Sequence, residues 1–154
     1  MSKDAKRRRD APKINSQRKG KRVENEACKL WHRWEKFKDC RRLYDQAHEG
    51  SYSPDIGCPE MVELFWIEVK GRKHEPTTTS LLDWMFGSTL GACDMALRLG
   101  CMEPAPIIMF HVDRGCWRII VSPIARQQYG IRGAVNDWAT FAAALDKHFT
   151  VKED

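Results

Sequence analysis

Residues 62–70, Val-Glu-Leu-Phe-Trp-Ile-Glu-Val-Lys, constrain this chain more than any other stretch. The run is rich in β-branched and aromatic residues, which predicts the central strand of a sheet. Strand side chains alternate with period two, so Glu68 and Lys70 project from the same face. Charged groups on a core-facing strand cost free energy unless they are used. One segment therefore predicts both a fold element and a site.

The neighbouring patterns extend the sheet into an α/β architecture. Val23, Ala27, Leu30, Trp31, Trp34 and Phe37 recur at three- and four-residue steps and predict one helix running to about Asp39. Glu24 sits at the border of that stripe and can lean over whatever the helix packs against. Residues 50–54 are loop chemistry leading into a short strand around Asp55 and Ile56, and Gly57, Pro59 and Glu60 read as a turn. Residues 81–99 predict the longest helix. Two strands, 106–112 and 116–121, are joined by Asp113-Arg114-Gly115 as a hairpin. A last helix is expected over 136–149 with Asn136 as its N-cap. The order predicts α/β, a mixed central sheet flanked by helices.

A chain of 154 residues with 42% hydrophobic residues, six Trp and six Phe can bury one core. Net charge is +5, distributed unevenly. Residues 1–42 hold 16 Lys and Arg against 6 Asp and Glu, while the remainder holds 10 against 15. Residues 1–18, with Lys6-Arg7-Arg8-Arg9 and almost nothing apolar, read as a disordered basic arm ahead of a domain over 19–150. That asymmetry suggests a polyanionic partner, with a solvated tail as the bland alternative. No apolar run can span a bilayer, and no apolar stretch follows the basic N-terminus as a secretory signal would. A cytoplasmic protein with six unpaired cysteines is the expectation.

The chemistry concentrates in Pro54-Asp55 followed, twelve residues on, by Glu68-Val69-Lys70. A hairpin partner ending near Asp55 would set its carboxylate beside Glu68 and Lys70. Two carboxylates and an ammonium suit phosphodiester hydrolysis. Mg²⁺ takes oxygen ligands and commonly uses one or two carboxylates, polarising the phosphoryl oxygen and lowering the pKa of a bound water. Lys70 can orient or deprotonate that water and offset developing charge. Glu24 is a candidate third carboxylate. The competing explanation is a plain salt bridge between Glu68 and Lys70 on an edge strand. Cys28 and His32, four apart, could present two zinc ligands, yet no second pair lies nearby. Trp31 and Trp34, at helical spacing, suit a core better than base stacking.

These residues resemble the archaeal-type Holliday junction resolvases, a branch of the PD-(D/E)xK nucleases. Lys19-Gly20-Lys21-Arg22-Val23-Glu24 is similar to their opening helix, and Gly50-Ser51 to the loop before the first catalytic aspartate. Ile67-Glu68-Val69-Lys70 looks like their catalytic strand. The later strands, 106–112 and Trp117 through Pro123, follow in the same order. The resemblance implies a restriction-endonuclease-like core, with Asp55, Glu68 and Glu24 as metal-side carboxylates and Lys70 activating water. Ser51 would lie near the scissile phosphate. Mg²⁺, with Mn²⁺ as a substitute, is the implied cofactor, with no small-molecule cofactor and no membrane. Branched or duplex DNA and a homodimer are the implied partners. Where the family usually carries an arginine ahead of Gly-Ser, this chain has His48. Lys19, Lys21, Arg22, His48, Ser51, Arg72, Lys73 and the arm residues Arg7, Arg8 and Arg9 are the candidate DNA contacts. Two further readings stand beside this one. The chain could be a phage or mobile-element nuclease on other DNA structures, working in a host-cell cytoplasm. Alternatively it could be a non-catalytic nucleic-acid binder.

Overall fold

The computed structural model describes residues 16–43, 53–86 and 105–154, with side chains from residue 19 onward. Helix α1 (Ser16–Trp31) is followed by a short 3₁₀ turn (Glu35–Phe37) and by β1 (Arg41–Arg42). Then come β2 (Ile56–Gly57), α2 (Pro59–Val62), β3 (Phe65–Arg72) and α3 (Thr78–Phe86). The chain ends with β4 (Ala105–Val112), β5 (Trp117–Val121), α4 (Pro123–Tyr129), β6 (Val135–Asp137) and α5 (Trp138–Leu145). The fold is α/β, with a mixed four-stranded sheet in the order β3-β4-β5-β6 and a separate antiparallel pair, β1-β2. β3 and β4 run parallel; the other two pairings are antiparallel. No described helix is long and apolar enough to cross a membrane.

The alternation along β3 sorts its residues between two cores. Phe65, Ile67 and Val69 join α1, Trp34, Phe37, Ile107, Met109, Phe141 and Leu145 in the larger one. Trp66 faces the other way, with Ile108, Phe110, Ile120 and Met85, under Leu81 and Trp84 of α3. Glu68 and Lys70 share the parity of Trp66 and so belong to the α3 side. Burying each large aromatic contributes about 1.5–3 kcal/mol, and Trp31, Trp34, Phe37 and Phe65 are all within 1% of complete burial. The two tryptophans are core residues.

Several boundaries differ from the sequence expectation. The strand expected at 62–70 begins at Phe65, because Pro59 at N1 starts the short helix α2 after Cys58. That strand lies at one end of the four-stranded sheet rather than at its centre. Helix α1 stops at Trp31, although Trp31, Trp34 and Phe37 all stay on the core side. Trp34 is extended (φ −101°, ψ 136°) and bridges Val151, while Glu35 N–H donates to Thr150 O at 2.9 Å and Lys152 N–H to Arg33 O at 2.7 Å. Three-residue spacing suits a 3₁₀ turn as well as an α-helix, so the pattern alone cannot mark the break. The last helix is capped by Asp137, which accepts Thr140 N–H at 2.7 Å, and not by Asn136, which lies in β6 opposite Ile119. Ser122-Pro123 starts α4 and Gly130 (φ 67°) ends it in a left-handed cap. Of the helix expected over 81–99, Thr78–Phe86 is seen, and the rest lies outside the described residues. The hairpin at 113–115 is present, with Gly115 N–H donating to Val112 O at 2.8 Å. Cys28, Cys40, Cys58 and Cys116 are free thiols.

Candidate functional site

The outer edge of β3 is where the predicted residues meet. Ile67 C=O accepts the backbone N–H of Asp55 at 2.9 Å, and Val69 N–H donates to Asp55 Oδ2 at 2.7 Å. These two bonds straddle Glu68. They hold the aspartate against the strand, with β1 and β2 pairing behind it through Leu43 N–H to Asp55 O at 3.0 Å.

Glu68 is the only charged residue among those buried in the described chain, at 8% exposure. Its own contacts are long: Trp66 Nε1 lies 3.5 Å from Oε1 and Lys70 Nζ 3.7 Å from Oε2. Burial pushes its carboxyl pKa up, Lys70 pulls it down, and the charge of Asp55 pushes it up again. A buried carboxylate with neither a short hydrogen bond nor a close cation is costly. Asp55 therefore sits within electrostatic reach of Glu68, and the 68/70 pair is not a surface salt bridge even though β3 is a terminal strand.

Glu24 approaches from α1. It is half-buried and forms an ion pair with Arg42 Nε. Burial raises its pKa most, the Arg42 hydrogen bond opposes that, and Asp55 adds to it. Asp55 is thus felt by both other carboxylates, with Glu24 engaged by an arginine that the sequence reading passed over. Arg42 and Trp66 are the missed neighbours. Trp66 was legible, since it precedes Glu68 by the strand period. Arg42 was not, because nothing local says that β1 passes under α1.

The remaining predicted residues scatter. Lys19 Nζ pairs with Asp113 at 3.2 Å. Lys21 and Arg22 are exposed on α1, and Lys73 is exposed beyond β3. The Arg72 guanidinium lies 4.9 Å from the Trp84 ring centroid, a cation–π contact that fixes it over α3. Arg7, Arg8, Arg9, His48 and Ser51 lie outside the described residues.

Among the described residues no three His, Cys, Asp or Glu side chains are grouped to hold a metal ion. A divalent cation at this edge would rest on Asp55 and Glu68, with water and substrate oxygens for the rest. That donor set fits Mg²⁺, a hard cation that needs only one or two carboxylates. No family model matches this chain, and no curated protein or solved structure matches it either.

Proposed function

We propose that this protein is a divalent-metal-dependent DNA endonuclease of the PD-(D/E)xK type, built on Asp55, Glu68 and Lys70. The observation that carries the reading is the state of Glu68. It is buried, held only by contacts of 3.5 and 3.7 Å, and subject to the opposing charges of Lys70 and Asp55. Mg²⁺ bound there would polarise the scissile phosphate and supply a water of lowered pKa. Asp55, pinned by Val69 N–H, would present its carboxylate in a fixed orientation. Lys70, on the face shared with Glu68, would position the attacking water and balance charge on the phosphate. Glu24 would act from the α1 side, its charge shared with Arg42.

Within that class we favour a homodimeric Holliday junction resolvase, on the order and type of the motifs. Cleavage of a labelled four-way junction in Mg²⁺ or Mn²⁺ is the direct test, run beside a flap and a plain duplex of equal length. Paired nicks in the junction, lost in Lys70→Ala while binding persists, are expected. Equal rates on all three substrates would remove the resolvase assignment, and binding without metal-dependent cleavage would remove the enzyme. That last outcome describes a non-catalytic nucleic-acid binder.

A further inference from the structure

A second polar feature lies on the opposite face of the sheet from Lys70. A cleft of about 340 Å³ opens between α1 and the β4–β5 turn, lined by Arg22 and Glu26 of α1, Gly71, His111, Asp113 and Arg114. Gly71 and His111 are register partners near the carboxyl ends of the parallel strands β3 and β4. Open α/β sheets hold their ligands in crevices of that kind. Gly71 lets α1 approach closely: a Cβ there would come within 3.0 Å of Val23 Cγ2. The approach brings Arg22 over the strand ends. Arg114 faces it from the turn in a left-handed conformation (φ 62°) that side chains rarely adopt, at a cost of about 1–2 kcal/mol.

The charges in the cleft are unequally matched. Lys19 is committed to Asp113, with Nζ 3.2 and 3.4 Å from its two oxygens. The side chains of Arg22 and Arg114 form no hydrogen bond or ion pair among the described residues, and the His111 side chain has a ring contact with Trp117, centroids 5.2 Å apart. Glu26 is the one carboxylate left to oppose two guanidinium groups. Planar guanidinium groups with open donors are the side chains best suited to hold phosphate oxygens.

We propose that this cleft is a phosphate subsite, in which Arg22, Arg114 and His111 hold one backbone phosphate of a bound nucleic acid. The inference rests on the nucleic-acid reading above but not on catalysis. Glu68 and Lys70 lie on the α3 side of β3 and the cleft on the α1 side, so a strand engaging both passes over the carboxyl end of β3. Anchoring would occur on one face and the Asp55 edge would meet the backbone on the other.

The test uses the full chain and a fluorescent four-way junction without divalent metal, with anisotropy read across a salt series. A single phosphate contact contributes about 0.9 to the slope of log affinity against log salt. The Arg22→Gln/Arg114→Gln double variant is expected to lose that increment and bind about tenfold more weakly. Glu26→Gln is expected to bind several-fold more tightly. Titration with inorganic phosphate, followed by the His111 ring resonances, is expected to shift them in the wild type and not in the double variant. An unchanged salt slope in the double variant overturns the proposal. So do His111 resonances that move with phosphate while junction affinity stays the same, since the cleft would then take only the free anion. A junction that binds with the expected slopes yet is never cut leaves the subsite standing and removes the nuclease alone.

Discussion

Asp55 has two separable jobs, and substituting it in two ways tells them apart. Its Oδ2 accepts Val69 N–H at 2.7 Å on the outer edge of β3, and its charge raises the pKa values of both Glu24 and Glu68. Asp55→Ala leaves the amide of Val69, a residue 9% exposed, without its acceptor. Losing a hydrogen bond to a charged acceptor at a mostly buried donor costs about 1.5–3 kcal/mol. For a chain of this length each kcal/mol lowers the melting temperature by about 2–4 °C, so a drop of about 3–12 °C is expected. Asp55→Asn keeps an oxygen facing Val69 and relieves repulsion on two carboxylates, so its melting temperature should stay within about 3 °C of wild type. Circular dichroism melts give the first comparison and junction nicking in Mg²⁺ the second. Both variants should be inactive, but only the alanine should be unstable. Equal melting of the two variants would refute the edge-pinning role, and nicking by Asp55→Asn would refute the role in metal binding.

Glu68 and Asp146 give pH tests of opposite sign. The pKa of Glu68 is raised, so the folded state binds more protons than the unfolded one above the ordinary glutamate value, and its stabilising share declines as pH rises through the folded pKa. Glu68→Gln should therefore melt higher than wild type at about pH 8 and equally at about pH 4, and millimolar Mg²⁺ should stabilise only the wild type; a pH-independent difference would show that the carboxyl is not perturbed. The pKa of Asp146 is lowered, first by the Arg33 hydrogen bond, so its contribution is present above the ordinary aspartate value and lost as pH falls through the folded pKa. Asp146→Ala also strips the acceptor from Trp34 Nε1, 2.9 Å away on a fully buried ring; a loss of about 2 kcal/mol, or about 4–8 °C, is expected at neutral pH, mostly restored in Asp146→Asn, because the partly exposed Arg33 pair adds little.

Local patterning carried the sheet-and-helix class and the parity of β3. A period-two run whose odd and even members differ in chemistry can be read without knowing its partners. The hairpin turn and the core role of Trp31 and Trp34 were legible for the same reason. Caps were legible to within a residue: Asn136 and Asp137 are both competent, and only the pairing of Asn136 with Ile119 in β6 passes the cap to Asp137. Ser122-Pro123 and Gly130 are available local signals for the two ends of α4.

Position across the sheet was not encoded nearby in the chain. That β3 is a terminal strand, and that Asp55 rather than another strand takes Ile67 O and Val69 N–H, depends on backbone groups whose partners are settled only when the layers assemble. The Glu24–Arg42 pair and the cleft joining Arg22 to His111 and Arg114 have the same origin. Sequence spacing sets which residues can share a face of one element. Which faces then meet is decided by burying Trp31, Phe65 and their neighbours together, and the charges at the margins of that packing find one another as a consequence.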